Sequence, residues 1–364
     1  MHRVFKPSIS LRPALLLLTP IAIALLAACT PDNAQSTFGT AGPIAEDQAN
    51  LFIFIFWIAA VVFVLVEGAV IYVSIRYRRR SDSDKLPHQT HGNTKLEITW
   101  TIIPAIILIA VAIPTLSQIW GQQSGVPTDQ GEVLNVEAIG HQWWFEFRYP
   151  DHEIITANEL HIPVDRPVAF KLTSQDVVHI FRVPKIDGKV AMVPLNDNFI
   201  WMIGTEPGVF YGQCAEFCGV AHALMRFRVI AEPREDFDAW LLEQAAPAAE
   251  STDPLILAGK KVFQQSGCTG CHATDPSSKG RIGPNLTHVA SRSTLAGGVF
   301  ENRDEFDRVN PSILQANLRE WLEDPLKAKP ANIMGMQAAV YTDSNKKLSE
   351  PDISALVAYL SSLK

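Results

Sequence analysis

Two apolar runs, residues 51–73 and 98–120, constrain this chain more than any other feature, because each is long enough to cross a bilayer. The first carries one charge, Glu67, and is followed at once by Arg76, Arg78, Arg79 and Arg80. Arginines massed beside an apolar span mark its cytoplasmic end. The second run begins and ends near tryptophans, Trp100 and Trp120, which favour the membrane interface. The pattern predicts a transmembrane hairpin, with helices over about 51–74 and 98–120, its turn in the cytoplasm and everything after Trp120 outside. No role for Glu67 follows from the sequence.

An outer location agrees with the N-terminus. Residues 14–28 are apolar, follow Arg3, Lys6 and Arg12, and end Leu26-Ala27-Ala28-Cys29. A basic start, a short apolar stretch and small residues describe a secretory signal over 1–28. The last four residues resemble a bacterial lipobox, in which Cys29 becomes a lipidated N-terminus; an uncleaved anchor is the competing reading. Residues 29–124 then form the N-terminal segment and hairpin of a protein of the bacterial cytoplasmic membrane.

Beyond the hairpin the chain reads as ordinary water-facing protein. Residues 125–250 hold 19 Asp and Glu against 9 Lys and Arg, an acidity that excludes nucleic acid and suits a cationic partner. Short β-type runs at 133–139, 168–173 and 199–203, punctuated by Pro and Gly, predict an all-β sandwich over 125–242. Residues 243–253, small, polar and Pro-containing, read as a linker. A further domain occupies 254–364, and its last stretch, 350–363, has helical apolar spacing that would pack on the domain's first helix.

The five cysteines show what the outer domains carry. Tyr211-Gly-Gln-Cys214-Ala-Glu216-Phe-Cys218-Gly-Val-Ala-His222-Ala-Leu-Met225 gathers two thiols, an imidazole and a thioether, and Asp176-Val-Val-His179 lies upstream. Zinc accepts Cys and His but not readily Met; soft thiolate and thioether ligands with imidazole favour copper. A blue-copper site takes one Cys, so the second fits two coppers bridged by two thiolates. A disulfide between Cys214 and Cys218 is the alternative, and it leaves His222 and Met225 unused. In the last domain, Cys268-Thr-Gly-Cys271-His272 is the attachment pattern of haem c, in which both thiols bond the haem and His272 binds iron. A bare Cys-x-x-Cys redox pair competes with it, but needs no His272. The sixth ligand is expected from Met334 or Met336, and His288 is expected at the surface.

The copper-type segment resembles the CuA loop of cytochrome c oxidase subunit II. The resemblance implies a cupredoxin-like domain in which His179, Cys214, Cys218, His222 and Met225, with the backbone carbonyl of Glu216, hold a dinuclear copper centre. It also implies magnesium on the Glu216 carboxylate at the contact with subunit I. Lys95-Leu-Glu97-Ile-Thr-Trp100-Thr-Ile-Ile-Pro104 resembles the start of the family's second helix, where the glutamate opens a proton path; a helix-start charge is the plainer reading of Glu97. Gly140-His-Gln-Trp143-Trp144-Phe145 resembles the aromatic patch whose first tryptophan, here Trp143, accepts electrons from cytochrome c. Both tryptophans also suit a strand core. Lys329-Pro330-Ala-Asn-Ile-Met334 resembles the Lys-Pro-x-x-x-Met of fused oxidase cytochromes and favours Met334, and Arg281-Ile-Gly283-Pro284-Asn285-Leu286 resembles the segment covering the proximal histidine. Lys189-Val-Ala191-Met-Val-Pro194-Leu195-Asn196 departs from the family, lacking its Asp, Gly and Arg.

The resemblance spans about residues 45–364 and implies a caa-type oxidase subunit with an all-α class I cytochrome c domain. Electrons would pass from cytochrome c or another donor to haem c, the copper pair and haem a of subunit I, with subunit III in the same proton-pumping complex. A nitric oxide reductase subunit and a copper-delivery chaperone are the rivals. Whether the haem domain docks or swings on its linker stays open at this level.

Overall fold

The computed structural model describes residues 33–79, 89, 91–123, 125–129, 131–276, 278 and 282–364. The expected signal over 1–28, Cys29, Arg80 and Arg281 lie outside these residues. Helix α1 (Pro43–Arg76) and helix α2 (Thr94–Gln123) are both longer than the about 20 residues a bilayer core needs. Their apolar side chains stay exposed along the span, as they must where lipid is the neighbour. Pro43 starts α1 with a preset φ, and Glu46 lies in its first turn. At the head of α2, Asn93 Oδ1 accepts from Leu96 N–H while Glu97 Oε1 accepts from Asn93 N–H, a reciprocal cap. Gln118 Nε2 donates to Asp47 O at 2.8 Å. That contact joins the start of α1 to the end of α2 and makes the pair an antiparallel hairpin.

The next ten strands build two five-stranded sheets. In chain order they are β1 (Leu134–His141), β2 (Trp144–Tyr149), β3 (Ile154–Ala157), β4 (Glu159–Pro163), β5 (Val168–Ser174), β6 (His179–Arg182), β7 (Lys189–Met192), β8 (Asn198–Met202), β9 (Gly208–Cys214) and β10 (Arg226–Glu232). One sheet runs β3-β2-β1-β5-β8 and the other β4-β10-β9-β6-β7. Strand alternation sets the inner faces: Val168, Phe170 and Leu172 are buried while Ala169, Lys171 and Thr173 between them are not. Phe145, Phe147, Phe170, Phe181 and Phe227 fill the space between the sheets in edge and tilted contacts. In the loop after β7, Leu195 has φ 61° and is fully exposed, a left-handed position where the family pattern places Gly.

After β10, helix α3 (Arg234–Ala245) lays Phe237 and Leu241 on the sandwich. It continues three residues into the stretch expected as linker, so the connector proper is 246–253. Glu235 and Asp236 after Pro233 are the start signal for this helix. The last domain holds α4 (Pro254–Gln265), α5 (Pro311–Glu323), α6 (Pro325–Ala328), α7 (Ile333–Gln337), α8 (Ala339–Thr342) and α9 (Glu350–Ser362). Helix α9 packs on α4 and α5 around Phe263, Leu314, Leu318, Leu356 and Leu360. His288 is not at the surface as expected: it is buried and its Nε2 donates to Ala246 O at 2.9 Å. The ring satisfies a carbonyl of the connector, which a lone histidine in a sequence does not announce.

Candidate metal centre and haem site

The alternation that buries Phe210 and Gly212 along β9 brings Cys214 to the same inner face at the strand's end. His179 opens β6, paired beside β9. The loop from Cys218 through a short turn at His222 to Met225 folds back over them before β10 begins. Cys214 and Cys218 Sγ face each other at 3.7 Å. Cys214 Sγ lies 3.8 Å from His179 Nδ1, and Cys218 Sγ lies 3.6 Å from His222 Nδ1 and 3.8 Å from Met225 Sδ. The Glu216 carbonyl oxygen is 3.3 Å from Cys214 Sγ, and the Glu216 side chain is exposed. All six sequence-predicted donors thus converge.

Both thiols are free and stand far beyond a disulfide bond of about 2.05 Å. Metal–sulfur bonds of about 2.3 Å span their gap, and a thioether among the donors suits a soft metal. Hydrogen bonding from Cys218 holds the Cys214 pKa down, and the same contact holds that of Cys218 up. A cation binding both sulfurs takes them as thiolates and so displaces protons from the pair.

Three residues around the donors were quoted from the sequence only as flanks. Asp176 Oδ1 accepts from His179 Nε2–H at 2.8 Å, which turns the Nδ1 lone pair toward the sulfurs. Burial opposes charging His179, but the hydrogen bonds to Asp176 and Cys214 outweigh it and raise its pKa. Asp176 Oδ2 also accepts from Gln142 N–H at 2.7 Å. Gln142 Nε2 and Trp143 Nε1 both donate to Cys218 O, at 2.7 and 3.0 Å. At Gly140 a Cβ would stand 2.7 Å from His179 Cδ2, so only glycine lets the ring in. Trp143 is only 7% exposed, and Trp144 stacks on His141.

In the last domain, Cys268 and Cys271 bracket one turn and His272 follows it. His272 Nδ1 donates to Pro284 O at 2.8 Å, leaving Nε2 free to bind a metal. At Gly283 a Cβ would come 2.4 Å from His272 Cε1, which explains a glycine in the covering segment. Burial lowers the His272 pKa, keeping the ring neutral as a ligand must be. Met334 is half-buried against this domain's core, whereas Met336 is 57% exposed. Glu97 stays at the far end of the hairpin, its carboxylate occupied in capping α2.

The helical domain sits on the sandwich beside the cysteine loop. Glu159 accepts from Ser293 Oγ at 2.7 Å and Thr294 N at 2.9 Å. Arg228 pairs with Glu301, Arg226 N–H donates to Gly297 O at 3.1 Å, and Lys329 Nζ donates to Trp143 O at 2.6 Å.

Two bilayer-length helices, a cupredoxin-like sandwich with converging soft donors and a helical domain with a Cys-x-x-Cys-His turn together describe a membrane-anchored redox protein. Known families match each part: the cytochrome c oxidase subunit II transmembrane domain over residues 31–118, its periplasmic domain over 152–232, and cytochrome c over 256–364. A relative named cytochrome c oxidase subunit 2, from Alkalihalophilus pseudofirmus, is 36% identical over 341 residues, 93% of this chain and 94% of its own length. The chain belongs to the cytochrome c oxidase subunit II family and carries a C-terminal cytochrome c domain, consistent with a caa-type fusion. A quinol oxidase subunit 2 from Bacillus spizizenii is also 36% identical, over 68% of this chain and 78% of its own. Among solved structures, the periplasmic domain of subunit II of cytochrome oxidase from Bradyrhizobium japonicum aligns at 28% identity with a TM-score of 0.30, over 30% of this chain and 91% of that one.

Proposed function

We propose that this chain is the electron-entry subunit of a proton-pumping cytochrome c oxidase. Electrons from cytochrome c or another donor enter a haem c held by Cys268, Cys271, His272 and Met334. They leave for haem a of subunit I by way of a dinuclear CuA centre held by His179, Cys214, Cys218, His222, Met225 and the Glu216 carbonyl. The observation that carries this reading is the convergence of two thiols, two imidazoles and a thioether within 3.8 Å contacts. Bound haem and copper supply one-electron chemistry; the chain supplies position. Asp176 orients His179, while Gln142 and Trp143 fix the Cys218 carbonyl, so little moves when charge changes. Trp143, between the cysteine loop and the cytochrome domain, is the proposed entry residue on the copper side.

The remaining roles follow the same reading. The exposed Glu216 carboxylate meets magnesium at the subunit I contact, and Glu97 serves a proton path into subunit I besides capping its helix. Subunit III joins the assembly, both redox domains face the outer side of a bacterial cytoplasmic membrane, and Cys29 is lipidated. The intact donor set supports a copper-dependent oxidase over a quinol oxidase, and the cytochrome domain weighs against a copper-delivery chaperone.

The test is the visible and near-infrared spectrum of the purified complex, oxidised and reduced, with copper and haem analysis. Bands of a mixed-valence thiolate-bridged copper pair beside a low-spin haem c are expected. Haem c without copper bands after copper reconstitution would overturn the reading.

A further inference from the structure

Lys329 is buried at the seam between the two redox domains, 3% exposed. Burying an ammonium is costly, and the cost is offset only by good hydrogen bonds or an anion. Among the described residues no carboxylate pairs with it; its Nζ donates instead to one carbonyl on each side, Trp143 O at 2.6 Å and Ala296 O at 2.8 Å. An apolar side chain would fill this space without that cost, so the position calls for a reason beyond packing.

The reason lies in what each end of the contact is attached to. Lys329 O accepts from Asn332 Nδ2 at 2.7 Å, and Asn332 Oδ1 caps α7 by accepting from Gly335 N–H at 2.8 Å. Helix α7 carries Met334. On the other side, the Trp143 indole donates to Cys218 O at 3.0 Å, and Cys218 is one of the two facing thiols that would hold the copper centre. One run of short hydrogen bonds therefore joins the methionine segment of the cytochrome domain to the cysteine loop, crossing the seam where Lys329 Nζ donates to Trp143 O, with the Arg226 N–H to Gly297 O bond beside it. The Glu159 contacts with Ser293 and Thr294 and the Arg228–Glu301 pair hold the domains together elsewhere.

We propose that Lys329 is a positioning residue for electron transfer between the two redox domains: it fixes the Met334 segment on the Trp143 backbone and so sets the gap the electron crosses. The inference rests on the oxidase reading above. The step it serves makes and breaks no bond: the donor centre is oxidised by one electron and the acceptor reduced by one.

The experiment uses the full complex and compares Lys329→Met, Lys329→Arg and Glu159→Gln with the unsubstituted chain. It reads optical spectra, the rate of haem c reoxidation after rapid photoreduction, and hydrogen exchange at the backbone of residues 142–146 and 293–298. Lys329→Met is expected to keep both sets of optical bands and the protection of 293–295. It should lose protection at 142–146 and slow reoxidation about tenfold, which corresponds to about 1.4 kcal/mol of barrier. Lys329→Arg, which keeps the charge and the donors, should recover part of the rate. A rate within about twofold of the unsubstituted chain, far inside that tenfold change, overturns the role. So does slowing that Glu159→Gln reproduces in proportion to its loss of interface protection, since Lys329 would then be mere adhesive. Missing optical bands in the unsubstituted complex would overturn the oxidase reading and this role with it; intact bands with an unchanged rate overturn the role alone.

Discussion

His179, proposed as a copper ligand, shows how much one such residue depends on others that carry no metal motif. Its Nδ1 faces the sulfurs because Asp176 holds Nε2 at 2.8 Å, and the ring reaches them because Gly140 has no side chain. Replacing Asp176 with Asn keeps the shape but weakens the hold on the tautomer. Copper affinity should fall about 10- to 100-fold, the usual effect of losing such a partner. Chelator competition measures it, with the haem spectrum unchanged as the control. Met334 and Met336 make the complementary point: two residues apart in sequence, one packs on the cytochrome core and the other faces outward.

At the scale of elements, the turn joining β6 to β7 carries a cost. Asp187 there is buried, with Oδ1 accepting from Gly188 N–H and Oδ2 without a partner among the described residues. Burial pushes its carboxyl up to about 7, from 3.8 in an open chain. Between those values the folded chain keeps a proton that the unfolded chain releases, so the group stabilises the fold at low pH and loses that contribution as pH rises toward 7. Asp187→Asn removes this dependence. Denaturation midpoints should rise at about pH 8, by about 1–3 kcal/mol in stability, and change little at about pH 4. The same turn receives the segment ahead of α1, where Ala41 N–H donates to Lys185 O, so the hairpin and the sandwich meet at this element.

At the scale of the whole molecule, the cytochrome domain rests on the sandwich through contacts between residues far apart in the chain, from the Glu159 anchor to the Lys329 link. The connector 246–253 is then a tether rather than the sole attachment. Proteolytic cleavage within it should leave the domains co-eluting on size exclusion at low salt. Adding the Glu159→Gln substitution should release the cytochrome fragment, since a buried carboxylate with several donors is worth far more than a surface pair.

Much of this protein was legible in its sequence, wherever the information was local. Bilayer-length apolar runs, flanking arginines, the cysteine, histidine and methionine spacings and the Cys-x-x-Cys-His turn are each set within a few residues, and physical chemistry constrains each one directly. The strands expected at 133–139, 168–173 and 199–203 coincide with β1, β5 and β8, because period-two alternation is a local code. The tertiary structure decided what depends on residues meeting from distant parts of the chain. It carried α3 into the stretch read as linker, buried His288 beneath the connector, and set Trp143 on Cys218, 75 residues away, and under Lys329, 186 residues away. No window of sequence holds both ends of such a contact. Whether an isolated lysine or histidine is a surface charge or a buried link is settled only by which carbonyl the fold brings opposite it.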